Sequence, residues 1–279
     1  MSLQLFHEVS QHCSKLTTGA YSTSFASAIR LLHVDLQEPV YNIYGLVRFA
    51  DEIVDTFHDF DKKYLLGQFK EETFQAIRTG ISLNPILNSF QLTVNKYQID
   101  HALIHAFFNS MEMDLNCQQY DEQGYNEYIY GSAEVVGLMC LHVFCDGNRA
   151  QFKKLEPAAR ALGAAFQKVN FLRDVNADYN SLSRTYFPGV DFKHFTPEMK
   201  QQIELDINTD FNNAYEGILS LPWKAKFGVY VAYKYYLSLF KKIKRVQACR
   251  ILQERIRIPN YKKMMIVMRA GLKNQLNLI

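Results

Sequence analysis

The chain has 279 residues, enough for one large domain with a generous core or for two small ones. At 48% hydrophobic, 14% aromatic and 21% charged it is not a disordered segment, and 13 glycines and 7 prolines are too few for a sandwich of short, turn-linked strands. The net charge of +3 hides an asymmetry: Leu221 to Ile279 holds fourteen Lys or Arg and one acid, Glu254, a net +13, so the preceding 220 residues carry −10.

The first 25 residues show no basic n-region, apolar h-region or small-residue cleavage site, so no signal peptide is expected. The five cysteines form no Cys-x-x-Cys pair and fit free thiols in a reducing, cytoplasmic setting. Helical periodicity runs almost throughout. Pro39 suits the first turn of a helix through "VYNIYGLVRFADEIVDTF". Asn84-Pro85 marks a second start, and Asp100 a cap for "HALIHAFFNSMEMDL". The longest apolar run, Val135 to Leu141, is too short to span a bilayer. A long helical pattern covers roughly Gln151 to Tyr179 and breaks at "SLSRTYFPGV". Thr196-Pro197, Leu221-Pro222 and Ile258-Pro259 open three more. Without linkers or repeats, the expectation is a single all-α domain over residues 1–279.

Two stripes break the apolar pattern that packed helices should show. Positions i, i+3, i+4, i+7 and i+11 share one helix face. On the first helix Tyr44, Arg48, Asp51 and Asp55 fall on such a face. On the long helix Gln167, Asn170, Asp174 and Asp178 do the same, with Arg173 beside them. Each aspartate pair puts two carboxylates one turn apart, where they repel and where burial without a counter-charge is costly. Mg²⁺ suits them, being an oxygen-seeking ion usually held by a few carboxylates plus substrate phosphates. Mn²⁺ is the natural substitute. Arg48 and Arg173 could grip a diphosphate bidentately. A solvated face would explain one such pair; two pairs, each with an arginine and amides, point to a cation–diphosphate site.

The segments "YGLVRFADEIVD" and "FQKVNFLRDVNADYNSLSRTYFP" resemble the two aspartate-rich motifs of the squalene and phytoene synthases, the head-to-head prenyltransferases. "YSTSF" (Tyr21 to Phe25), "YIYGSAEVVGLM" (Tyr128 to Met139) and "YYLSLFKKI" are similar to further elements of that family, with bacterial phytoene synthases the nearest match. The resemblance implies packed helices around a deep apolar cavity with both motifs at its mouth. It implies a Mg²⁺-dependent condensation of two allylic prenyl diphosphates, through a cyclopropyl diphosphate, to a hydrocarbon. With geranylgeranyl diphosphate the product is phytoene, a carotenoid precursor; with farnesyl diphosphate it is squalene or dehydrosqualene. No NADPH is expected. Asp51, Asp55, Asp174, Asp178 and Asn170 are the implied metal ligands, and Ser22, Arg48, Gln167, Arg173 and Tyr236 the implied substrate contacts, with Tyr233 and Tyr235 close enough to blur the last register. Tyr44 and Tyr128 could stabilise cationic carbon with their faces. Departures from the pattern are Tyr21 and Thr23, where some relatives carry His and Lys, Glu134 in place of a small residue, and Ser183 in place of Gly.

Other signals carry less. His101 and His105 lack a zincin glutamate or third ligand and suit surface positions. No nucleic-acid reader motif accompanies the basic C-terminal region. That region could dock peripherally on anionic lipid, which would ease release of a hydrocarbon product. A non-catalytic binding relative is the alternative of another class, though one with no reason to keep both aspartate pairs with their arginines.

Overall fold

The computed structural model describes residues 2–116, 119–181 and 185–276, apart from the side chains of 177–181 and Lys193. Thirteen α-helices account for most of these residues, and no strand occurs among them, only an isolated bridge between Gln119 and Thr185. The expected all-α architecture is what the sequence folds into.

Helix α1 (Leu3–Tyr21) and the short α2 (Thr23–Ile29) meet at Ser22, whose hydroxyl accepts the Phe25 N–H as the cap of α2. Helix α3 (Val34–Asp55) carries the first stripe. It begins earlier than expected: His33 caps it, and Pro39 lies inside rather than in the first turn. Proline there gives up the bond to the Asp35 carbonyl. The entry is held instead by Gln37, which donates to the Arg30 and Leu32 carbonyls, and by Lys224, which donates to the Asp35 carboxylate.

Helices α4 (Lys62–Thr79), α5 (Pro85–Tyr97) and α6 (His101–Asn116) follow. Asn84 caps α5 with Pro85 in its first turn, and the Asp100 carboxylate takes the Ala102 N–H at 2.9 Å, as their sequence positions suggest. His101 and His105 lie on the exposed side of α6 against Phe74, the latter stacked at 4.1 Å.

The segment Glu122–Cys145 runs as three joined pieces: α7 (Glu122–Ile129), a π-helical turn at Tyr130–Glu134, and α8 (Val135–Cys145). Taken whole, it is long and apolar enough to cross a membrane, more than the short run Val135–Leu141 indicates, but half of its most apolar stretch is buried among neighbouring helices. Close crossings hold it in place. A Cβ on Gly131 would come within 2.5 Å of the Ala106 carbonyl of α6, and one on Gly163 within 2.7 Å of the Ala133 carbonyl. Only hydrogen at those two positions lets the backbones approach so closely.

Helix α9 (Arg149–Ser181) carries the second stripe and packs along α10 (Pro197–Leu219) and α8. Thr196-Pro197 and Pro222 start α10 and α11 (Trp223–Lys244) as expected. A short α12 (Ala248–Ile251) and α13 (Asn260–Gln275) complete the fold, α13 lying on α11. The contiguous apolar core includes Leu46, Phe90, Phe107, Phe108, Phe211 and Phe240, all fully buried.

Candidate active site

A cavity of about 730 Å³ opens between α2, α3, α8, α9 and α11. Both stripes line it. From α3 come Tyr44, Arg48, Asp51 and Asp55; from α9 come Gln167, Asn170, Arg173 and Asp174; Ser22, Tyr128 and Tyr236 complete the set. Thus every residue expected to bind metal or substrate, or to face cationic carbon, lines one cavity, except Asp178, whose side chain lies outside the described residues. The remaining walls, among them Phe107, Leu141, Phe144 and Leu155, are apolar.

Charges at the polar end are paired within each stripe. Arg48 binds both Asp51 and Glu52, and its buried Nε has no acceptor among the described residues. Its guanidinium lies 4.3 Å from the centre of the Tyr21 ring. On α9, Arg173 Nε donates to Asp174 Oδ1 at 3.0 Å. A partner invisible to helical spacing joins it: Arg255, between α12 and α13, ion-pairs with Asp174 (Nε to Oδ1 2.7 Å), donates from Nη2 to Oδ2 at 3.3 Å, and also lines the cavity.

Asp51 is strongly perturbed. Its side chain is 37% accessible because it faces the cavity, yet it is deep within the fold. Enclosure first, and then the charge of Asp55, push its carboxyl up to about 7, against the pull of Arg48. A carboxylate pair so placed is a good cation ligand. Among the described residues no three His, Cys, Asp or Glu side chains cluster tightly enough to hold a metal by themselves.

The amides form a chain from the cavity wall to α11. Gln167 donates to the Ser132 hydroxyl at 3.2 Å, Asn170 donates to Gln167 Oε1 at 3.4 Å, and the Tyr236 hydroxyl donates to Asn170 Oδ1 at 3.3 Å. The three late tyrosines are placed differently. Tyr236 lines the cavity, stacked on Phe166 at 3.9 Å, whereas Tyr233 and Tyr235 turn into the core. Burial above all holds the Tyr44 hydroxyl above its usual range, against the pull of Arg48.

Tyr128 sits in an aromatic pile with Tyr120, Phe171 and Tyr186, and its hydroxyl donates to Asp114 Oδ2 at 2.6 Å. Tyr120 donates to the other oxygen at 3.0 Å. Burial, then the Asp114 charge, raise the Tyr128 hydroxyl far above the usual range, so it stays a neutral donor. Asp114, Tyr186 and Arg255 are absent from the sequence-derived set. Asp114 left a trace, a lone acid on the Phe107–Met111 face of α6; Arg255 left none.

Two departures find structural partners. At Thr23, where some relatives of the resembled family carry lysine, the hydroxyl accepts from Lys263 Nζ of α13 at 3.5 Å. Glu134 accepts from Arg160 Nε at 2.5 Å at the end of the π turn. Ser183 lies outside the described residues.

Comparison with known proteins agrees with this architecture. The family model described as squalene/phytoene synthase matches residues 18–262. A phytoene synthase from Arthrospira platensis is 26% identical over 283 residues, spanning 92% of this chain and 90% of its own. A 4,4'-diapophytoene synthase from Staphylococcus haemolyticus is 24% identical over 202 residues, 72% of this chain and 69% of its own. Among solved structures, a dehydrosqualene synthase in complex with ligand superposes with a TM-score of 0.83 at 18% identity, over 96% of this chain and 98% of that one. Squalene synthase HpnC from Alicyclobacillus acidocaldarius gives 0.74 at 18% identity, over 88% and 96%. With the family model matched over most of its length, the chain belongs to the squalene/phytoene synthase family of head-to-head prenyltransferases.

Proposed function

We propose that this enzyme condenses two geranylgeranyl diphosphates to phytoene in carotenoid biosynthesis, in two steps on one site. In the first, one substrate loses its diphosphate, the double bond of the other attacks the allylic cation, and proton loss closes a cyclopropane that keeps one diphosphate. In the second, that diphosphate leaves, the skeleton rearranges and a second proton is lost. The observation that carries this reading is a single cavity with both charged stripes at one end and apolar walls beyond. Leu155 and Asp174, both lining it, are 19 residues apart on α9, a span of roughly 28 Å. A lining of that length has room for the longer prenyl chain.

Asp51, Asp55, Asn170, Asp174 and Asp178 would hold Mg²⁺, or Mn²⁺ in its place, and the ion would stabilise the charge on the departing diphosphate. The arginines now paired with Asp51 and Asp174 would turn to phosphate oxygens; Arg48, Arg173 and Arg255 then act as clamps, with Ser22 beside them. Gln167, Asn170 and Tyr236 hold one another in a fixed array. Tyr44 and Tyr128 turn aromatic faces to positive carbon, and the apolar walls keep water from it. No reductant is required by the reaction to phytoene.

Farnesyl diphosphate is the second reading, favoured by the similarity to a protein named 4,4'-diapophytoene synthase. The test is a product assay. Purified protein with Mg²⁺ is given each diphosphate separately, with and without NADPH, and the hydrocarbons are identified by mass. Phytoene, formed regardless of NADPH, is the expected product. Squalene or dehydrosqualene from farnesyl diphosphate alone would move the enzyme to the second reading, and consumption of neither would make the chain a binding relative.

A further inference from the structure

Helix α13 has two apolar faces. One, with Ile266, Val267 and Ala270, packs onto the core. The other carries Tyr261, Met264, Met265, Met268 and Leu272, at the spacing 0, +3, +4, +7 and +11 that defines one helical stripe. These five side chains are between 41% (Met265) and 63% (Met264) exposed, and Leu276, next on the same face, is 67% exposed. Lone exposed apolar residues are ordinary, but a continuous stripe over the whole length of a helix is not.

A basic row edges the stripe. Lys262, Arg269 and Lys273 lie one helical position round from it, all exposed, and none has an ion-pair partner among the described residues. From Arg255 to Ile279 the sequence contains no acid at all. The helix that carries the stripe also lies near the cavity, through its opposite side. Lys263 of α13 touches Thr23, the neighbour of the cavity-lining Ser22, and Arg255 just upstream lines the cavity and holds Asp174.

We infer that this face of α13 is a membrane-docking surface that lies in the interface of an anionic bilayer, with the apolar stripe among the acyl chains and the basic row on the headgroups. An exposed apolar stripe with a cationic border is the pattern of an interfacial helix, in which apolar burial and headgroup attraction act together. Methionines suit it, being flexible enough to fill an irregular, fluid surface. A second copy fits less well, since with no acid on this segment it would set one basic row against another. Docking through α13 would hold the cavity close to the bilayer, the phase in which prenyl chains and a bare hydrocarbon product dissolve. That last consequence rests on the proposed reaction; the docking itself does not.

The test is co-sedimentation of the full-length protein with vesicles of phosphatidylcholine alone and of phosphatidylcholine mixed with phosphatidylglycerol, without substrate. The protein is expected to bind the mixed vesicles and to be only partly released by salt. Met264→Gln/Met268→Gln/Leu272→Gln should weaken that binding at least about a hundredfold, because three apolar side chains are lost from the layer. Lys262→Gln/Arg269→Gln/Lys273→Gln should weaken it by about a hundredfold, at about fivefold per charge, and only on anionic vesicles. Both variants should melt at the wild-type temperature, since the changed side chains point away from the core. No binding of wild type to either vesicle, or binding unchanged in the apolar variant, overturns the inference. So does a concentration-dependent dimer that binds no lipid and is dispersed by the apolar changes, which would make the stripe a contact between copies. Because no prenyl diphosphate is present, failure here leaves the product assay untouched.

Discussion

Arg255 reaches across 81 residues of sequence to lay its Nε 2.7 Å from Asp174 Oδ1. The contact fastens the segment before α13 to the second aspartate stripe, and Asn176 reinforces it by donating to the Leu252 carbonyl at 2.6 Å. Half of the Arg255 side chain is exposed, so the ion pair itself adds little stability.

Arg255→Gln should therefore leave the melting temperature nearly unchanged while lowering kcat/KM at least about tenfold, if the guanidinium clamps diphosphate as proposed. Arg255→Lys should recover only part of that loss, since an ammonium cannot reproduce the bidentate fork. Steady-state kinetics beside a thermal melt would separate the two effects. Wild-type kinetics in the Gln variant would remove Arg255 from the site.

Asp51→Asn and Asp174→Asn should each lower turnover by about a hundredfold or more with the fold intact, as expected of groups acting on developing charge. Chelation of divalent ions by EDTA should do the same to the wild type, and added Mg²⁺ should restore it. Near-normal turnover in either variant would dismiss the metal assignment.

Asp51 also predicts a pH dependence of stability. Its folded-state pKa, about 7, lies above the usual carboxylate value, so between about pH 4 and 7 the folded chain binds more protons than the unfolded one. Its contribution is therefore fully present at low pH and is lost as pH rises towards 7. In metal-free protein, Asp51→Asn should flatten that fall. Denaturant melts of both proteins from pH 5 to 8 would check it, and parallel curves would show that Asp51 is not the group responsible.

Tyr128→Phe removes a short hydroxyl donor to the buried Asp114 carboxylate. Leaving that acceptor short should cost about 1–3 kcal/mol. Urea unfolding reads it directly, and a change below about half a kcal/mol would mean that Asp114 is satisfied without the Tyr128 hydroxyl.

Gly131→Ala should destabilise by about 1–3 kcal/mol, because the new methyl meets the Ala106 carbonyl and Ser110 with no flexible side-chain end to yield. Gly67→Ala, also helical but with open space around it, should be neutral or stabilising by up to about 1 kcal/mol. Equal effects at the two positions would contradict the close crossing of α6 and the π turn.

The helical class, the starts at Asn84, Thr196 and Pro222, and the membership of Arg48, Asp51, Asn170 and Asp174 in two polar stripes were all legible in the sequence. Each depends on interactions between residues within one or two turns, and a 3.6-residue period writes those into the local order of side chains. Even there, local reading misplaced the start of α3 at Pro39, because bonds from Gln37 and Lys224 hold a longer helix in place. Tertiary packing alone decided the rest. It chose Tyr236 over its neighbours, set Asp114 under Tyr128, brought Arg255 to Asp174 and Lys263 to Thr23, and left one face of α13 uncovered. Those partners are 14 to 240 residues apart, joined by helix crossings whose angles and depths no local period records. Which apolar stripe finds a partner is a property of the assembled bundle, since only there is it settled which faces the other helices already cover.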